Sequence, residues 1–408
     1  MKMELRKVRL GDVANFVTDK VRSDNITLAE YVTTDSLLQN KAGRTIAQNL
    51  PPQPCSLTRY KSGDVLIGNI RPYLKKIWFA DGGGGCSNDV LAFRAKEGFS
   101  SSFLYAILSQ DTFFDYLMLA AKGSKMPRGD KDHALRFKVP SIPIEQQRKI
   151  GKLLSDIDRK IALNRRMNAT LEAMARQLYD YWFLQFDFPD AHGKPYKSSG
   201  GKMTWNNQLK RDIPEGWSCG TLLDIAEYTN GLACQKFRPT GADRLPVIKI
   251  KEMHEGLSAD TEWVKSDIPE AVKVYDGDVL FSWSASLEVM LWAYGKGGLN
   301  QHIFKITSKN GYPRSFYYYQ LLNYIGVFKR MAEARKTTMG HITQDHLKQS
   351  TIVLPPNVDI ANRLEEKLCP IFDSIVKNNQ EIMHLTRLHT TLLPLLMNGQ
   401  VSVEGPAT

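Results

Sequence analysis

YKSGDVLIG, residues 60–68, returns as VYDGDVLFS, residues 274–282. In both, a Gly-Asp turn leads into a short apolar run of the kind that forms a buried strand. Working outward, LGDVANF (10–16) matches LLDIAEY (222–228), and KKIWFA (75–80) matches VMLWAY (289–294), with Trp78 opposite Trp292. SSFLYAIL (101–108) matches RSFYYYQL (314–321), and the pair Asp132-His133 returns as Asp345-His346. All offsets lie at about 212 to 214 residues and the order never changes. Independent coincidences do not keep one offset along a whole chain, so the sequence is a tandem repeat.

Each copy opens with strand-like segments such as GDVLIGNI (63–70) and DVLAFRA (89–95), continues through a helical stretch such as FLYAILSQDTFFDYLMLAA (103–121), and reaches a basic loop. A proline-marked entry follows, VPSIPIEQQ (139–147) or IVLPPNVD (352–359), and opens a long helical run. The expectation is an α/β fold in tandem pseudo-repeat. A first globular domain covers 1–143, a long helix 144–184, a connector 185–216, a second domain 217–356, a second long helix 357–399 and a tail 400–408. The connector, rich in Gly, Ser, Pro and Lys, reads as extended.

A seven-residue pattern runs along both helices. In the first, Ile150, Ile157, Asn164, Leu171 and Leu178 share one seam position, and Leu154, Ile161, Asn168, Ala175 and Trp182 the other. In the second the two sets are Leu364, Ile371, Asn378, Leu385, Leu392 and Leu368, Ile375, Ile382, His389, Leu396. These are coiled-coil seams, and the helices are expected to pair with each other; the alternative is that each packs on its own domain. Asn164 and Asn378 hold corresponding seam positions, where a buried amide selects a register. Forty helical residues span roughly 60 Å, which makes the helices a ruler. Pro370 is expected to kink or restart the second helix, and Asn398-Gly399 to stop it.

Lys+Arg number 54 against 43 Asp+Glu, a net charge of +11, which favours polyanionic partners. The five cysteines show no CxxC spacing, so neither a zinc site nor a disulfide framework is supported. The N-terminal sequence has no apolar signal core and no run approaches a membrane span, so a cytoplasmic protein is expected.

Motifs for catalysis fail on spacing. DGGGGCSN (81–88) lacks the GK[ST] ending of a phosphate loop, and no GxGxxG opens a helix. LPPN (354–357) is not the Asn/Asp-Pro-Pro-aromatic motif of an adenine methyltransferase. LEEK (364–367) holds the Glu-x-Lys of many nucleases, yet it sits on the second seam without an upstream Pro-Asp strand. The Asp-His pairs could orient a general base, but no nucleophile of defined spacing accompanies either, and an Asp opening a turn or helix explains them more simply.

Basic loops survive this filter. In the first copy they carry Arg71, Lys75 and Lys76 in RPYLKK (71–76), and Lys122, Ser124, Lys125, Arg128 and Lys131 in KGSKMPRGDK (122–131). In the second they carry Gln235, Lys236 and Arg238 in CQKFRP (234–239), and Lys336, Thr337, Thr338 and His341 in ARKTTMGH (334–341). Arg and Lys suit phosphates and guanine edges, and hydroxyls and small residues permit close approach. A single basic loop is commonly just a solvated surface; recurrence at corresponding points of both copies argues against that.

With these residues in view, the chain resembles a specificity subunit of a type I restriction-modification system along nearly its whole length. The resemblance is carried by the duplicated plan, by IPIEQQRKIGKLLSDIDRKIALN (142–164), by the connector from FDFPDAHGKPYKSSGGKM (186–203) to IPEGW (213–217), and by YKSGDVLIGNIRPYLKK (60–76) and GSKMPRGDK (123–131). The second helix entry, LPPNVDIANRL (354–364), lacks the usual Glu-Gln. The resemblance implies two target-recognition domains that each read one half of a split DNA sequence. It also implies two antiparallel helices that fix the spacer and dock two modification subunits. Those partners bind S-adenosylmethionine and methylate adenine, while two restriction subunits use ATP and Mg; no cofactor is expected in this chain, and no catalysis. Two other readings are a self-sufficient nuclease or methyltransferase, which predicts turnover by the isolated chain, and a scaffold bridging two proteins, which predicts no sequence-selective footprint.

Overall fold

The computed structural model describes residues 6–123, 125–258, 260–284, 286–334 and 342–403. It divides into two compact units, Met1–Lys160 with Leu385–Thr408, and Ile161–His384.

In the first unit the quoted stretch forms the centre of the main sheet. Gly63 turns with φ +88, a conformation open to glycine, and the Asp64 carboxylate accepts the Lys61 N–H at 2.8 Å, closing the turn. Strand Val65–Gly68 follows, buried at every residue. It sits third in an antiparallel sheet ordered Ala14–Phe16, Val90–Ala95, Val65–Gly68, Ile77–Phe79. Alternation sends Val65 and Ile67 to one face, where they meet Phe103, Leu104, Ile107 and Phe113 of the helices Ser101–Leu108 and Asp111–Leu119. Leu66 points to the other face, into a cluster with Tyr60, Trp78, Cys86 and Val32. Tyr60, Cys86 and Val32 belong to a second sheet, ordered Lys20–Arg22, Ser56–Tyr60, Gly84–Cys86, Tyr31–Val32, whose last pair is parallel. A strand covered on both faces has no polar side to show, which is why VLIG reads as an unbroken apolar run.

The second unit repeats this. Gly277 turns with φ +88, Asp278 accepts the Tyr275 N–H at 2.8 Å, and Val279–Ser282 lies third in the sheet Ala226–Asn230, Ile303–Ser308, Val279–Ser282, Glu288–Leu291. Val279 and Phe281 face the helix Arg314–Ala334, and Leu280 joins Ile248, Val274, Trp292 and Leu299 on the other side. The second sheets share a core of three strands, with Lys273–Val274, Gly297–Leu299 and Val247–Ile248 standing where Ser56–Tyr60, Gly84–Cys86 and Tyr31–Val32 stand. They differ at the edge. Lys20–Arg22 extends one side in the first unit, and Trp263–Lys265 the opposite side in the second.

Helices Ile144–Tyr179 and Asp359–Met397 form as the apolar spacing predicts. Within each unit, stretches of the two pack against each other in antiparallel sense. In the first unit Ile150 and Leu154 share a core with Leu393, Leu396 and Met397, Ile157 is buried, Leu392 packs at the margin, and Asp158 lies 3.6 Å from His389. In the second, Asn164 donates to Glu381 at 2.7 Å and Asn168 to Asn379 at 2.7 Å, while Asn378 donates to Asn168 at 2.8 Å. Asn164 and Asn378 thus each pair across the seam, though not with each other.

The seam is wider than a strict heptad. Leu364, Leu368 and Ile375 are buried, as is Ile161, but Ile371, Leu171, Leu178 and Leu385 are only partly so, and Phe372, outside the heptad positions, is buried to 1%. The reason is a third helix: Phe372 lies 5.7 Å from Tyr318 and 6.0 Å from Tyr319, and Tyr179 lies 4.9 Å from Tyr319. A helix contacted on two sides buries a 3.6-residue stripe, not a narrow 3.5-residue one. Both expectations, pairing and packing on the domain, hold together.

Two expectations change. The second helix does not restart at Pro370 but continues through it; Pro370 and Glu366, whose carbonyl loses its helical partner, are both exposed. The stretch after the first long helix is not extended. It folds into the hairpin Met203–Asn206 with Arg211–Pro214, and Phe186, Phe188, Ile213 and Trp217 are buried in the second unit's core, Phe188 stacked on Trp217 at 5.1 Å. Its polar composition hid four large apolar anchors. The Asp-His pairs do open short helices, Asp132 in the first turn of Lys131–Leu135 and Asp345 in that of Gln344–Lys348, with Asp130, which accepts the His133 N–H at 2.8 Å, and Thr343 as the cap residues. The second helix does stop where expected, with Gly399 at φ +66, its N–H on Leu396 and the Gln400 N–H on Leu395 at 2.9 Å.

No helix among the described residues is long and apolar enough to cross a membrane.

Candidate nucleic-acid interface

The two basic loops of the first unit, far apart in sequence, lie side by side. The Arg71 N–H donates to the Pro127 carbonyl at 2.7 Å, and the Gly129 N–H to Asn69 at 3.1 Å. Lys122 and Arg128 exchange both backbone hydrogen bonds, at 3.0 and 2.9 Å, closing the second loop on itself. A third strand of the crossing is the turn before Val90: the Asn69 N–H donates to the Asp89 carbonyl at 2.9 Å. A Cβ at Gly129 would stand 2.7 Å from Asn69 Oδ1, so a side chain there would force the crossing to shift.

The loops are held in costly backbone conformations. Arg71 and Lys75 sit at φ 53 and 51, and Asn40 and Lys41, which donate their N–H groups to Leu74 and Lys75 at 3.0 and 2.9 Å, sit at 54 and 61. Four non-glycine residues in the left-handed region, joined by hydrogen bonds, mark a segment fixed by its surroundings rather than by its own preference.

Several cations here are tethered to carboxylates. Asp111 meets Lys41 at 2.6 Å and Lys75 at 3.0 Å; although desolvation works against its charged form, the two ammonium groups hold its carboxyl below the ordinary value. Arg128 reaches Asp89 at 3.1 Å while remaining 60% exposed, and Lys122 lies 3.7 Å from Asp130. Asp130 is held below the ordinary carboxylate value mainly by the His133 N–H. Lys76 donates to the Thr34 carbonyl. Arg71, Lys125 and Lys131 are exposed and carry no ion pair among the described residues. Of the expected first-copy residues, then, Arg71, Lys75, Lys76, Lys122, Lys125 and Arg128 lie on these joined loops, Lys131 opens the helix Lys131–Leu135 that follows, and Ser124 lies outside the described residues.

The second unit keeps the frame and changes the side chains. The Trp283 N–H donates to the His302 carbonyl at 3.3 Å, and the Ile342 N–H to the Trp283 carbonyl at 3.0 Å, the same two bonds that join Asn69 to Asp89 and Gly129 to Asn69. Trp283 therefore stands where Asn69 stands, just before the segment that matches RPYLKK, and CQKFRP is not that segment's counterpart. Cys234 is buried beside Leu245, Val247 and Val264 of the second sheet, and Gln235, Lys236 and Arg238 are exposed on the segment that leads from it. Lys336, Thr337, Thr338 and His341 lie outside the described residues.

Residues missed from sequence are Asn69 and Asp89 in the first unit, and Asn230, Trp283 and His302 in the second. Trp283 is part-exposed, donates its indole N–H to Asn230 at 3.1 Å, and lies 5.6 Å from the His302 ring. Their signal was available in the repeat offset: carrying positions 69 and 89 forward by the spacing of the GDV turns reaches this region of the second copy.

A family model described as "Type I restriction modification DNA specificity domain" matches residues 3–173 and again 214–386. The chain is 23% identical over 420 residues to the type I restriction enzyme MjaIX specificity subunit of Methanocaldococcus jannaschii, covering 98% of this chain and 94% of the relative. It is 22% identical over 465 residues to the HindI specificity subunit of Haemophilus influenzae, covering 97% and 99%. The crystal structure of a type I restriction-modification S subunit from M. genitalium shares the fold, with a TM-score of 0.61 at 12% identity over 96% of both chains.

Proposed function

The chain belongs to the type I restriction-modification DNA specificity family, and on that premise we propose that it is the specificity subunit of a type I restriction-modification enzyme, each target-recognition domain reading one half of a bipartite DNA site. The observation that carries this reading is the duplicated crossing: one backbone frame presents Asn69, Asp89 and Arg128 in one unit, and Trp283 and His302 in the other. A frame used twice with the same side chains would read a palindrome. Different side chains on one frame suit an asymmetric target.

The division of labour follows. This chain supplies recognition and no chemistry, holds no cofactor of its own, and acts in the cytoplasm. Two modification subunits carry S-adenosylmethionine and methylate adenine, and two restriction subunits add ATP- and Mg-dependent translocation and cleavage. The paired helices set the non-specific spacer and dock the modification subunits. A layer of part-buried amides supports this role, because polar seam residues fix which turns of two helices meet.

The test is to co-express the chain with its modification subunits and map methylated adenines, then replace residues 1–143 with the corresponding domain of another family member. One half of the target should change. A change in both halves, or turnover by the chain alone, would overturn the proposal.

A further inference from the structure

Resting on that reading, we infer that Arg128 is the guanine-reading residue of the first domain and that Asp89 is its positioning residue, holding the guanidinium in a fixed pose before DNA arrives. Four observations carry this. Arg128 cannot slide, because its N–H and carbonyl are both bonded to Lys122 and its neighbours Pro127 and Gly129 are tied to Arg71 and Asn69. Asp89 is fixed to the same crossing through its carbonyl, 2.9 Å from the Asn69 N–H. The Asp89 contact, at 3.1 Å, engages one Nη of a fork with five N–H donors, so a parallel pair remains for the O6 and N7 acceptors of guanine. Finally, the pair is half-exposed on both sides, 60% and 39%, a setting in which an ion pair adds little to stability, so its presence calls for another reason.

The second unit supports the assignment by contrast. The backbone bond Asn69 N–H to Asp89 recurs as Trp283 N–H to His302, yet the carboxylate is gone. An arginine-orienting group is therefore a property of one reader and not of the fold. Arg128 also differs from the free cations Lys125 and Lys131, which have no orienting partner among the described residues and suit phosphates, where a point charge suffices.

The experiment uses the chain assembled with its modification subunits and reads methylation across a library randomised at every target position, at two salt concentrations. Wild type should require a G·C pair in the first half-site. Arg128→Ala and Arg128→Lys should each lose roughly ten- to hundredfold discrimination at that one position. Asp89→Asn should relax the same position with the salt slope unchanged, and Asp89→Glu should restore part of the discrimination. The second half-site, read in the same assay, reports that every variant is folded. No sequence preference in wild type would sink the proposed function itself. A selective wild type with no G·C requirement in the first half, full discrimination in either the Arg128→Ala or the Asp89→Asn variant, or a uniform loss with a shallower salt slope, would overturn this inference alone.

Discussion

Asp64, 1% exposed, grips Arg94 with two hydrogen bonds of 2.8 Å, one from Nε and one from Nη2. The same carboxylate closes the turn that opens the central strand, so one side chain fixes both the turn and the adjacent strand. Its counterpart Asp278 does this with a single 2.8 Å contact to Lys305 and is 24% exposed. Removing Asp64 takes away three hydrogen bonds of the turn and the adjacent strand, although Arg94, 28% exposed, keeps Asp19 at 2.9 Å; removing Asp278 takes away two contacts. Hydrogen bonds to charged groups contribute about 1.5–3 kcal/mol each. Asp64→Ala should therefore destabilise the first unit more than Asp278→Ala destabilises the second. Hydrogen exchange in Val65–Gly68 and Val279–Ser282 separates the two effects; equal losses of protection would show that the burial difference does not matter.

Gly129→Ala should disable the first reader without a large loss of stability. The added methyl would stand 2.7 Å from Asn69 Oδ1, a buried oxygen with no hydrogen-bond partner, and the crossing must open to admit it. The expected cost is about 1–3 kcal/mol, as for other overpacking. Asn69→Ala in the same chain removes the obstacle and should recover the stability. Base discrimination in the first half-site should fall in the single variant; a double variant no more stable than Gly129→Ala would show that the clash lies elsewhere.

What the sequence disclosed and what it hid have separate physical causes. The repeat was legible because the GDV turn needs a left-handed glycine and a capping carboxylate in both copies, and such local demands leave letters in place. The long helices were legible because periodicity persists over many turns. The breadth of their buried face was not, since Phe372 is buried only because a third helix brings Tyr318 and Tyr319 to it. The first unit's basic loops were found by charge, but their meeting depends on backbone bonds that any residue can make. In the second unit the search for Lys and Arg misled: CQKFRP stood out, while the frame position belongs to Trp283 and the neighbouring His302, neither of which is a lysine or arginine. Asp89, an acid in a region searched for bases, was invisible for the same reason.

Asp111→Asn should change how the first domain holds DNA in general, not what it reads. Losing the carboxylate frees Lys41 and Lys75, now 2.6 and 3.0 Å from it, to reach phosphates. Each additional phosphate contact steepens the dependence of log affinity on log salt by about 0.9. Non-specific binding should tighten at low salt, with a slope steeper by up to about two, and methylation specificity should fall because competing sites are held longer. The wild-type carboxyl titrates below its ordinary value, so the stability it contributes is complete at neutral pH and is lost as pH falls through that lowered pKa, below 3.8. Acid titration of wild type against the variant, followed by exchange in the helix Asp111–Leu119, reads that loss; identical acid profiles would count against the tether.

The amide layer between the long helices should behave as a register lock whose value lies in specificity. Asn378 donates to Asn168 at 2.8 Å, Asn168 to Asn379 at 2.7 Å, and Asn164 to Glu381 at 2.7 Å, while Asn164, fully buried, keeps an Oδ1 with no hydrogen-bond partner. A slip of one heptad would set these amides against leucine and isoleucine and leave several unpaired, each costing about 1–3 kcal/mol. In the native register the Asn168→Ala and Asn378→Ala cycle should give a coupling of about 0.5–1.5 kcal/mol. Replacing Asn164, Asn168 and Asn378 together by leucine should hold or raise the unfolding temperature, because apolar contacts then fill the layer, and at the same time admit other pairings. Cysteine pairs placed at native and one-heptad-shifted positions read the register directly: cross-links at the shifted pair in the leucine variant and not in wild type are the expected result, and native cross-links alone in both would show that packing against the domains already fixes the register without the amides.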